Sequence, residues 1–86
     1  MALFVIERNY AEQLELTSDA ARLVAEVNSD AGVHWLFSFL SADKKKTYCL
    51  YEAPSAEAIR EAATRLNIPA DKIIELGGEL RPEMFA

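Results

Sequence analysis

Apolar positions fall along this chain in short bursts and helical stripes, and the alternation between them already outlines a fold. Leu3-Phe4-Val5-Ile6 is an unbroken apolar run closed by Glu7-Arg8, too brief for a helix and suited to a strand buried on both faces. Asn9 to Leu16 has no clean period and marks a connection, with a turn around Tyr10 to Gln13. Thr17-Ser18-Asp19 supplies helix-start chemistry, because a short polar side chain can accept from a first-turn amide. Ala20, Leu23, Val24 and Val27 then recur at helical spacing and line one face, and the segment Asn28 to Gly32 ends the helix. Val33 to Leu40 and Thr47 to Glu52 are rich in aromatic and aliphatic residues and are joined by the polar tip Ser41 to Lys46, which is a hairpin pattern.

Ala53-Pro54-Ser55 stops the hairpin and caps a second helix, with Glu57 placed where the helix dipole favours an acid. Ile59, Ala62 or Ala63, and Leu66 form its buried face, and Asn67-Ile68-Pro69 breaks it. Lys72 to Leu76 is a fourth strand. Gly77-Gly78 follows, then a tail whose Leu80, Met84 and Phe85 are too apolar to be simply solvated. The order β-α-β-β-α-β predicts an α+β, ferredoxin-like fold: a four-stranded antiparallel sheet with two helices on one face. Both alternating sets of the hairpin are rather apolar, unlike a sheet with one wet face. The second face is therefore expected to be covered by a second copy of the chain, with the 77–86 tail helping to close the contact.

Composition narrows the classes. Eighty-six residues make a single domain, 1–86, whose modest core favours self-association. A net charge of −5 argues against nucleic acid and anionic membrane as partners. One cysteine excludes an internal disulfide framework, and no run approaches membrane-spanning length, so a cytoplasmic location is expected.

Candidate chemistry concentrates in the hairpin. His34 is the sole histidine and Cys49 the sole thiol, and with the strand-end carboxylate Glu52 they are the candidate donors for a transition metal. Pairing register decides which of them share a face. With Ser41 opposite Lys46, His34, Ser38, Cys49 and Tyr51 fall together, and Trp35, Phe37, Phe39, Tyr48 and Leu50 are expected to face the helices. The Lys44-Lys45-Lys46 tip reads as a solvated turn that guards strand ends against stray pairing. No phosphate-binding glycine loop, Ser-His-Asp arrangement or paired-cysteine spacing is present.

Several stretches together resemble one family: Val5-Ile6-Glu7-Arg8, Val33-His34-Trp35-Leu36-Phe37-Ser38-Phe39, Tyr48-Cys49-Leu50-Tyr51-Glu52-Ala53-Pro54, Ile59-Arg60-Glu61 and Ile68 to Glu75. They are similar to small bacterial ferredoxin-like domains of unassigned function that include an actinobacterial-type nickel-binding protein. The resemblance implies a dimer and a metal, with nickel the named case. Relatives commonly carry histidine and tyrosine where this chain has Phe37 and Phe39, and a histidine where it has Ala62. The resemblance thus implies a degraded histidine site, with Phe37 expected to pack on Ala62. His34 is expected to point to the opposite face of the strand from that histidine and so cannot simply stand in for it. Three functional readings follow. The first is a module binding a small ligand or partner, with Trp35, Phe37, Ser38 and Tyr51 at the site. The second is a nickel or other transition-metal protein using His34, Cys49 and Glu52. The third is a cofactor-independent enzyme of the dimeric α/β-barrel kind, with Tyr51 or His34 moving a proton. The residues themselves require no cofactor; nickel enters only through the resemblance.

Overall fold

The computed structural model describes residues 1–85. Strand β1 (Ala2–Asn9) leads into helix α1 (Ser18–Ala31), the hairpin strands β2 (His34–Leu40) and β3 (Lys46–Ala53), helix α2 (Ala56–Leu66) and strand β4 (Lys72–Leu76). A short 3-10 turn, Pro82–Phe85, follows. The strands form one antiparallel sheet in the order β2-β3-β1-β4, the ferredoxin-like arrangement expected from the element order. The helices pack on each other and on one face of this sheet, and Arg65 of α2 reaches Asp30 of α1 at 3.1 Å.

Strand β1 is longer than its apolar run. Glu7 and Arg8 continue the pairing with β3, opposite Tyr48 and Thr47, instead of ending the strand. Alternation explains this: Phe4, Ile6 and Arg8 all point inward and are buried, while Leu3, Val5 and Glu7 take the other face. The strand is buried fully on one face only, so its brevity concealed a period of two.

Both helices begin and end as their sequences predict. Thr17 Oγ1 accepts from the Ala20 amide and Ser55 Oγ from that of Ala58, at 3.1 and 3.2 Å. Gly32 and Asn67 close them in the left-handed region, with φ of 73° and 55°. The buried stripe of α1 differs in detail. Val27 and Asn28 are its buried residues and Val24 is half-buried, whereas Leu23 is 53% exposed. In α2, Ile59, Ala62 and Ala63 are all buried, and the two alanines let the helix lie close to its neighbours.

The core joins Phe4, Ile6, Cys49, Tyr51 and Ala53 of the sheet to Val27, Val33, Ile59 and Ala62. This overturns the expected distribution of the hairpin's aromatics. Ser41 does stand opposite Lys46, its amide donating to the Lys46 carbonyl at 2.9 Å. Yet β3 presents Thr47, Cys49, Tyr51 and Ala53 to the helices and leaves Tyr48 exposed. Phe37 and Phe39 pair with Leu50 and Tyr48, so they lie on the face away from the helices. The expected packing of Phe37 on Ala62 is therefore excluded, since the sheet separates them. On β3 the helices cover threonine, cysteine, tyrosine and alanine, and of the β2 aromatics only Trp35 shares their side.

An irregularity between Trp35 and Phe37 completes the picture. The pairs His34 with Glu52 and Trp35 with Tyr51 are out of step with Phe37 with Leu50 and Ser38 with Cys49, so Leu36 is an extra residue in β2. His34 consequently shares the open face with Phe37, three residues on, while Trp35 shares the helix face with Ser38.

Candidate functional site

On the helix side, the connection between β1 and α1 swings over the end of the sheet and is tied to the hairpin tip. The Tyr10 amide donates to the Lys45 carbonyl and the Leu14 amide to that of Lys44, both at 2.7 Å. The tip that receives these bonds is itself fixed. Asp43 accepts from the Ser41 hydroxyl and the Lys45 amide, and these bonds, the hydroxyl's first, hold its carboxyl below the ordinary carboxylate range. Between connection and sheet lies an open cavity of about 270 Å³. Tyr10, Leu14, Leu16 and Ile68 form its outer wall, Val24 comes from α1, and Trp35, Ser38, Leu40, Thr47, Cys49, Tyr51 and Arg8 come from the sheet.

Arg8 stands at the floor of this cavity and is only 3% exposed. Its Nη1 donates to the Pro69 carbonyl at 2.6 Å, and its guanidinium carbon lies 5.8 Å from the centre of the Tyr51 ring. Among the described residues no carboxylate comes within ion-pairing distance of it. Tyr51 accepts at 3.5 Å from Nδ2 of Asn28, whose Oδ1 is buried with no partner among the described residues. Burial raises the Tyr51 phenol above its ordinary value of 10.0, and the opposing pull of nearby Arg8 is the smaller effect. The phenol is therefore protonated at neutral pH and available as a hydrogen-bonding group.

Trp35 Nε1 donates to Ser38 Oγ at 2.8 Å, and Cys49 Sγ to Thr47 Oγ1 at 3.5 Å. Cys49 is a buried free thiol. The residues expected at a ligand site thus divide. Trp35, Ser38 and Tyr51 line the cavity together, and Phe37 does not. Arg8 and Thr47 went unnoticed, although the step of two from Phe4 through Ile6 to Arg8 placed the guanidinium on the inward face. The wall from Tyr10 to Leu16 carried no periodic signal at all.

The opposite face of the sheet is open and apolar. Phe37, Phe39, Tyr48 and Ile74 are exposed there, and Phe37 and Phe39 meet edge to face with ring centres 5.6 Å apart. Lys46 Nζ lies 3.7 Å from Glu7 and 5.9 Å from the centre of the Tyr48 ring. His34 and Glu52 are direct partners on this face. Cys49 points the other way, so the three donors singled out in the sequence do not converge within one chain.

A two-helix, four-stranded ferredoxin-like domain with one cavity-bearing face and one bare apolar face is the class that these observations define. A family model described as "Nickel responsive protein SCO4226-like" matches residues 4–76. The chain belongs to this SCO4226-like family. It is similar to the crystal structure of SCO4226 from Streptomyces coelicolor A3(2), with 29% identity over 92% of this chain and 100% of that one, at a TM-score of 0.75. No curated protein matches.

The family description names nickel, which requires several nitrogen, sulfur or carboxylate donors around one point. Among the described residues no group of three or more His, Cys, Asp and Glu is placed to hold a metal ion. His34 and Glu52 make a pair without a third donor, and Cys49 shares its cavity with a guanidinium that repels cations. The residues of a single chain do not fit a nickel site.

Proposed function

We propose that this chain is a small-ligand-binding module of the SCO4226-like family that works as a homodimer, with the family's histidine site degraded. The observation that carries the ligand reading is the cavity of about 270 Å³ over the sheet, which keeps polar side chains beside an apolar wall. Such a combination of apolar lining and a few placed polar groups is typical of small-molecule sites, whose volumes begin at about 300 Å³. The occupant is accordingly small. Nuclear magnetic resonance with a neutral probe such as indole tests this. Saturable shifts are expected at the amides of Trp35, Ser38 and Cys49; shifts confined to β4 or the open face, or none at all, overturn the reading.

The dimer rests on the open face. Exposed aromatics in a contiguous patch mark an interaction surface, and this sheet face presents Phe37, Phe39, Tyr48 and Ile74 together. A second copy offers the same apolar surface with the right dimensions, and an isologous contact closes after one pairing. Leu80, Met84 and Phe85 in the tail are also exposed and extend the apolar surface available to a partner.

Loss of the metal site has its own measurement. Calorimetric titration with nickel is expected to show no binding tighter than about 1 mM, an affinity worth only about 4 kcal/mol. Micromolar binding that His34→Ala abolishes would reinstate a metal role, with His34 and Glu52 of two copies supplying the donors.

A further inference from the structure

The polar edge of the cavity is made almost entirely of hydrogen-bond donors. Four hydroxyls line it, those of Tyr10, Ser38, Thr47 and Tyr51, and three of them already accept from a protein neighbour: Tyr51 from Asn28 Nδ2, Ser38 from Trp35 Nε1 and Thr47 from Cys49 Sγ. An oxygen so engaged still keeps a proton of its own that it can donate to another partner. Arg8 adds a permanent positive charge with five N–H groups, of which one nitrogen is committed to the Pro69 carbonyl. The lining contains no aspartate, glutamate or histidine. A buried cation without a counter-charge is unfavourable, and an incoming anion relieves that penalty. The protein as a whole carries a charge of −5, so this cationic floor is a local exception to its acidic character.

We infer that the cavity takes a small organic monoanion, a carboxylate with a single ring or short aliphatic body, held by Arg8 together with the Ser38 and Tyr51 hydroxyls. The apolar body lies against Trp35, Leu14 and Leu40, and the carboxylate meets the guanidinium in a charge-assisted contact. This rests on the ligand-binding reading above and adds the sign of the ligand's charge. A metal cation is the opposite choice, since the same donors and the same guanidinium repel it.

The test compares 3-phenylpropionate with 3-phenylpropionamide, which match in shape and differ in charge. Trp35 is the only tryptophan and lines the cavity, so its emission reports binding directly. The carboxylate is expected to bind at least tenfold more tightly than the amide to the unaltered protein. Arg8→Met should reduce the carboxylate to the level of the amide while leaving amide binding within about twofold, and Ser38→Ala should weaken the carboxylate alone by a few fold. Equal affinities for the two probes overturn the anion inference and leave the ligand-binding reading standing. Failure of both probes to bind overturns both. Should Arg8→Met fail to fold, the ratio measured on the unaltered protein decides alone.

Discussion

Phe39→Glu is expected to convert the protein from a dimer to a monomer at micromolar concentration, measured by light scattering on an eluting column. Phe39 is 67% exposed in the isolated chain and sits beside Phe37 and Tyr48 on the bare sheet face, near the end of the edge strand β2. In an isologous interface one substitution enters twice. Two carboxylates would lose hydration in an apolar contact, at a cost of several kcal/mol each. Every 1.4 kcal/mol is about a factor of ten in affinity, so dissociation by two orders of magnitude or more is the expected scale. Phe39→Leu keeps the surface apolar and should retain the dimer. A monomeric mass for the unaltered protein at the same concentration would end the dimer reading, and a dimeric Phe39→Glu would move the interface elsewhere.

Ile59→Ala is expected to lower the stability of the fold by about 2–5 kcal/mol, the range for removing a large aliphatic side chain from a core. Ile59 is 1% exposed and belongs to the cluster that joins α2 to Phe4, Ile6 and Tyr51. Its neighbours Ala62 and Ala63 are too small to move in and fill the gap. Small domains have only about 5–15 kcal/mol in total, so the urea midpoint should fall steeply with little change in slope. The comparison must hold protomer concentration constant, because association adds to apparent stability. A loss below about 1 kcal/mol, well under the range for such deletions, would show that the α2 contact is looser than the burial of Ile59 implies.

The order of elements was legible in the sequence because caps and breakers are local chemistry. Thr17, Gly32, Ser55 and Asn67 act within a turn of where they stand, and the helices begin and end beside them. The assignment of faces was not legible, for two physical reasons. One extra residue at Leu36 shifts the parity of β2, and no propensity distinguishes a strand with such a residue from one without. Aromatic residues also favour a covered surface of any origin, whether helix or second subunit, so Phe37 and Phe39 could not by themselves name their cover. The candidate site was half visible. Trp35, Ser38 and Tyr51 stood out because the hairpin is compositionally distinctive, but Arg8 looked like the end of a strand. Only its alternation with Phe4 and Ile6 betrayed an inward charge, and only the fold shows that no carboxylate among the described residues pairs with it.

The extra residue in β2 has a consequence for how this domain can diversify. It places positions 34, 37 and 39 on one side of the sheet and positions 35, 38 and 40 on the other. A lineage can therefore exchange histidine for phenylalanine at position 37, rewriting what the outer side offers, without moving any atom that lines the cavity. Conversely, positions 35 and 38 can change the lining of the cavity without altering the outer side. One strand thus carries two sets of side chains that can vary independently.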